Sequence, residues 1–143
     1  MSENEIKLSI KFFSATADPG DLTTLFGVTP DCTWRTGERI LNSIQCHKEN
    51  GWQLTSGVST GADFGEHTEA LVRRLRTLLP YAETAAHNWE TEISCVLYIY
   101  EGAPAAHFDV DMVALFARFN AEIDFDIYCL GERRDARASR AAV

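Results

Sequence analysis

At 143 residues, with 45% hydrophobic and 24% charged side chains, the chain has the size and composition of one globular domain, able to bury a core without disulfides or a structural metal. Its formal net charge is −8; four of the 13 basic residues and two of the 21 acidic ones fall in 132–143, so residues 1–131 carry nine against nineteen, a balance of −10. A surface of that sign repels phosphate backbones and argues against a nucleic-acid partner, while no apolar run reaches the ~18 residues of a membrane span and Met1–Glu5 lacks the basic and apolar order of a signal peptide. A cytoplasmic protein with no membrane contact is expected.

Ile6, Leu8, Ile10 and Phe12 alternate with Lys7, Ser9 and Lys11, the period of two that marks a strand buried on one side. Asp18-Pro19 offers an N-cap followed by proline at the first helical position, and Gly27 stands where a left-handed terminator is wanted, so a short helix is predicted over Pro19–Phe26, closed by Thr29-Pro30. Residues 31–50 give no decisive pattern. Trp52, Leu54, Ser56 and Val58 alternate again as a strand.

Asp63 with Glu66 three residues on resembles a capping box, and Leu71, Leu75, Leu78 and Leu79 then form one stripe up to Pro80, which predicts an amphipathic helix. On its far side Arg73, Arg74 and Arg76 read as a solvated flank with a Glu69–Arg73 pair. Ile93 to Tyr100 is apolar on both faces, the signature of an interior strand. A short extended piece then runs through Phe108, and Asp109 can cap a nearly all-apolar helix over Val110–Phe119 that is expected to be largely buried. Phe125, Ile127 and Cys129 form one face of the last strand, with Asp124, Asp126 and Tyr128 on the other. This order predicts an α+β domain over residues 1–130, with a mainly antiparallel sheet, helices on one face and a ferredoxin-like general arrangement, followed by a disordered Arg/Ala-rich tail over 131–143. Leu97, Ile99, Phe116 and Phe125 are expected to share the core.

Taken together, the first amphipathic strand, the Asp18-Pro19 helix ending at Gly27 with Pro30 beyond, the Gly37-Glu38 step, the Trp52 strand, the Leu78-Leu79-Pro80 helix end and the closing Asp124-Phe125-Asp126-Ile127-Tyr128 resemble a bacterial family known as domain of unknown function 4279. The resemblance spans residues 5–130 and implies a fold and a bacterial cytosolic origin. It brings no activity, cofactor or catalytic residue with it.

Chemistry is sparse. His107, Asp109 and Asp111 would share one face of an extended segment and could hold a divalent ion or do acid–base work; against this, Asp109 and Asp111 also suit a helix N-terminus. Cys46-His47 has the residue types of a thiolate–imidazole pair, yet sequence neighbours seldom point at each other and no oxyanion element flanks them. Gly57, Gly61 and Gly65 lack phosphate-loop spacing and its lysine. Cys32, Cys46, Cys95 and Cys129, with no CxxC among them, read as buried free thiols. Trp34, Arg35 and Glu38 could form an aromatic and charged patch for a partner, or Trp34 could simply pack over an irregular segment.

The expectation is therefore a non-enzymatic acidic protein, without catalytic residues or cofactor, that binds another protein with a basic surface, as an immunity-type or adaptor protein would. The alternatives are a metal-dependent enzyme or small-ligand binder built on His107, Asp109 and Asp111, and a homodimer.

Overall fold

The computed structural model describes residues 3–131. The strands are β1 (Glu5–Ser14), β2 (Cys32–Trp34), β3 (Asn50–Thr55), β4 (Glu90–Ile99) and β5 (Ala121–Cys129), and the helices α1 (Pro19–Phe26), α2 (Phe64–Leu78), α3 (Ala82–Ala86) and α4 (Val110–Arg118), with a single 3-10 turn over Leu79–Tyr81. They form one five-stranded sheet in the order β2-β3-β1-β4-β5. Every neighbouring pair is antiparallel except β4 and β5, which run parallel and are joined by the α4 crossover. The α+β class with a mainly antiparallel sheet is as expected.

Alternation decides the two faces. Phe12 lies beside Trp52 and Thr91, Ile10 beside Leu54 and Ile93, Leu8 beside Cys95, and Ile6 beside Leu97. All these side chains are buried, and all but Thr91 belong to one cluster with Leu22 and Phe26 of α1, Leu71, Leu75 and Leu78 of α2, Ala82 and Ala85 of α3, Phe116 of α4 and Phe119 at its end. The helices thus cover one face, and the opposite face carries Lys7, Lys11, Gln53 and Glu92.

Each long-range helix begins on an aspartate. Asp18 accepts a hydrogen bond from the Gly20 amide, Asp63 from that of Glu66 and Asp109 from that of Met112. Gly27 ends α1 at φ +65°. The second strand stops at Thr55 instead of reaching Val58, because the chain turns through Gly57 at φ +79°, with the Thr55 hydroxyl accepting from the Gly57 amide.

Residues 35–49, which the sequence left open, form an arm between β2 and β3. Its two limbs pair through Gly37 N–H to His47 O, His47 N–H to Glu38 O and Ile40 N–H to Gln45 O, and it turns at Asn42 in the left-handed region, φ +59°. Leu41 and Ile44 stand exposed at its tip.

Four expectations need correction. Phe116 and Leu97 are buried and Ile99 packs against the core, but Phe125 is half exposed, since β5 is the last strand of the sheet and has a neighbour on one side only. Helix α4 is not largely buried: Phe116 alone is enclosed within it, and Val110 and Val113 face outward. Of the four cysteines, all free, only Cys95 is buried; burial, Asp124 and Glu92 push its thiol up to about 12. Arg74 is no mere solvated side chain, because its guanidinium bonds Thr55 O at 2.9 Å and Asp31 at 3.3 Å, tying α2 to the β2–β3 hairpin. The predicted tail from 132 onward lies outside the described residues.

Candidate functional site

The three members of the predicted polar set do not converge. Asp109 is spent on capping α4, and Asp111 sits in its first turn, so the extended geometry that would align them with His107 does not exist. His107 lines a cleft with Asp63, Phe64 and Thr68, and Asp111 lines an adjoining groove of about 690 Å³ between α2 and α4 with Val72 and Leu115; Asp109 lies at the border and lines both, but His107 and Asp111 share neither. Among the described residues no group of three or more His, Cys, Asp or Glu side chains is placed to hold a metal.

Trp34 is packed into the fold. Its indole is 9% exposed, lies across Gly51 of the neighbouring strand, and stacks on His47 at 5.0 Å and 22°. Arg35 and Glu38 are exposed beside it; Arg35 pairs with Asp18 at 2.8 Å, and that carboxyl is held below its usual range by the Gly20 amide and by Arg35. Of the three predicted contact residues, two present polar groups and the aromatic one is covered. Cys46 is exposed in the arm, with His47 turned onto Trp34.

One nucleophile–base pair does occur, where the sequence gave no sign of it. Ser56 Oγ lies 2.7 Å from His67 Nδ1, but both residues are buried, and His67 Nε2 has no hydrogen-bond partner among the described residues. Burial lowers the His67 pKa, with the Ser59 backbone, Glu66 and Asp63 opposing. A histidine that titrates lower folded than unfolded stabilises the fold fully above its unfolded pKa and loses that contribution as pH falls below it, because the unfolded chain then binds the extra proton. Glu92 acts with the opposite sign: burial and Asp124 raise its carboxyl, so protonation relieves the fold. In a Glu92→Gln background, urea midpoints are therefore expected to fall as pH drops from about 7 toward 5. Adding His67→Leu should flatten that slope, and an unchanged slope would assign the titration to another group.

A row of exposed apolar side chains runs along β5. On its helix side Ile123, Phe125 and Ile127 are 40%, 46% and 56% exposed. Phe125 leans on Phe108 (ring centroids 6.2 Å), which in turn packs edge-on to Phe116 at 5.1 Å and against Phe64 at 5.4 Å, so this apolar ledge has a solid floor. Val110 and Val113 are exposed on α4 and do not line the α2 groove. On the other side of β5 stand Glu122, Asp124 and Asp126, registered beside Glu92, Ser94 and Val96. Sequence reasoning saw the alternation of this strand but not its place at the edge.

A five-stranded α+β sheet with one parallel edge strand and one helix-covered face defines the class. Within that class, the chain matches the family described as Domain of unknown function (DUF4279) over residues 4–130 and belongs to that family. No curated protein and no solved structure matches it. Among the described residues no helix is long and apolar enough to cross a membrane.

Proposed function

We propose that this domain is a non-enzymatic, acidic protein-binding module whose contact surface is the outer edge of β5 with the adjoining flank of α4. The observation that carries this reading is the nine-residue edge strand with its apolar side half exposed. Long bare edges and contiguous apolar patches are features that soluble domains suppress unless something covers them. The opposite edge makes the contrast, because β2 has only three residues. A net charge of −8 favours a basic partner and gives association a salt-sensitive on-rate. An immunity-type or adaptor role is the specific form this takes, with the domain masking a basic surface on its target. The Ser56–His67 pair lends no support to catalysis, since both side chains are enclosed.

The test is capture of a partner from native lysate by the full chain and by three single variants. Phe125→Asp is expected to abolish capture, because it places a charge in the centre of the contact where hot-spot truncations alone cost about 2 kcal/mol or more. Leu41→Asp at the arm tip should leave capture intact. Loss with Arg35→Glu but not with Phe125→Asp would return the site to Trp34, Arg35 and Glu38. Melting of each variant separates lost contact from lost fold.

A further inference from the structure

We infer that the outer edge of β5 takes up an extended segment of the partner as a sixth strand, and that this segment alternates apolar with basic residues. The inference rests on the binding reading above and specifies its chemistry. No strand among the described residues pairs with the far side of β5, so alternate backbone N–H and C=O groups along nine residues point outward and can form a ladder. Residues directly opposite in such a ladder point to the same face of the sheet. The incoming strand must therefore set one row of side chains on Ile123, Phe125 and Ile127 and the alternate row against Glu122, Asp124 and Asp126.

The first row calls for apolar groups. The second row decides between occupants. In a second copy of β5 lying antiparallel about a two-fold axis at Phe125, Asp124 would face Asp126 of the other copy, and a shift of the axis to Asp124 or Asp126 sets like residues opposite each other. Carboxylates so placed repel, with Glu92 adding charge one strand inward, where burial and Asp124 already hold its carboxyl above the usual range. Lysine or arginine in those positions turns the repulsion into attraction. The end of the strand adds a cation seat, since exposed Tyr128 stacks on Tyr98 at 5.2 Å and the Lys7 ammonium already lies 5.5 Å from the Tyr98 ring. Residues 132–143 of this chain supply four arginines, but their apolar residues are alanines and the terminal Val143, so they lack the half of the pattern that would cover the ledge.

The probe is a fluorescent nine-residue peptide alternating Lys and Val, added to the full chain beside a Glu/Val alternating peptide and a peptide of the same Lys and Val composition arranged in two blocks. The alternating Lys/Val peptide is expected to bind at least about tenfold tighter than either control and to slow hydrogen exchange in β5, with Asp124→Lys/Asp126→Lys removing most of that gain. Equal binding of the block peptide would reduce the effect to charge alone and overturn strand addition. So would β5 amides already protected in the free monomer, which would mean the chain's own tail occupies the edge, or a dimer with protected β5 in sedimentation. If the peptides fail while Phe125→Asp still abolishes partner capture, the strand-addition mode falls and the binding surface stands; if Phe125→Asp has no effect on capture, the surface itself is wrong.

Discussion

Trp52→Ala is expected to cost about 3–5 kcal/mol, a large part of the ~5–15 kcal/mol that holds a domain folded, and to lower the melting midpoint by roughly 10–20 °C. The indole is fully buried in β3 and meets Phe12 edge-on at 5.6 Å and Phe26 at 5.3 Å. Its Nε1 also donates to Thr23 Oγ1 at 3.1 Å, so truncation empties the site that joins α1 to the sheet and removes the partner of a hydroxyl. Collapse into that space is hindered because Phe12 is itself fixed between Trp52 and Thr91 in neighbouring strands. Trp52→Phe keeps a ring in the cluster and should cost distinctly less. Urea unfolding followed by circular dichroism measures both, and a Trp52→Ala chain within about 1 kcal/mol of the parent would contradict the role of this cluster.

How far the fold could be read from the sequence depended on whether its signals were local. Asp18, Asp63 and Asp109 each stood one residue before a periodic run, and each caps its helix. The alternation of Ile6 through Phe12 and of Phe125 through Cys129 placed two strands and their faces. What alternation cannot carry is sheet order. Phe125 alternates just as Ile10 does, yet Ile10 lies between two strands and Phe125 at a boundary, so one is enclosed and the other half bare. Helix α3 escaped notice because its five residues have no side-chain cap. The arm over 35–49 is hard to read because its two limbs are held mainly by backbone pairs, and its side-chain bonds, from Arg39 to Ser43 O and from the Gln45 amide to Ser43 Oγ, follow no periodic pattern.

The same distinction explains the candidate sites. His107, Asp109 and Asp111 align only in an extended chain, and one residue later than the cap the chain is helical, which parts Asp111 from the cleft that holds His107. The β5 ledge needed long-range facts: the parallel pairing with β4, the position of α4, and Phe108 folding back beneath Phe125. A sequence signal was nonetheless present in the regular exchange of carboxylates and large apolar groups from Glu122 to Ile127, a pattern that leaves one face of the strand acidic wherever it lies.

Gly51→Ala provides the second large effect, and it separates the two surfaces that compete as binding sites. Gly51 faces Trp34 across the β2–β3 pair, and a Cβ there would fall 1.9 Å from Trp34 Cε2 and 2.0 Å from Cζ2. No atom pair tolerates that approach, and the ring cannot simply rise, because His47 is stacked on it and Phe13 lies at 5.9 Å. The substitution is expected to cost about 1–3 kcal/mol as overpacking. In a Trp34→Ala background the clash is gone, and alanine should instead gain about 0.5–1 kcal/mol over glycine in a strand. The double-mutant cycle should therefore return a coupling of about 1.5–4 kcal/mol, read from urea unfolding of the four chains. A coupling near zero would mean that the indole does not rest on Gly51. Displacing Trp34 also disturbs His47 and with it the arm that bears Arg35 and Glu38, while β5 lies at the far edge of the sheet. Partner capture by folded Gly51→Ala should accordingly match the parent if the β5 edge is the contact surface, and should weaken if the arm is.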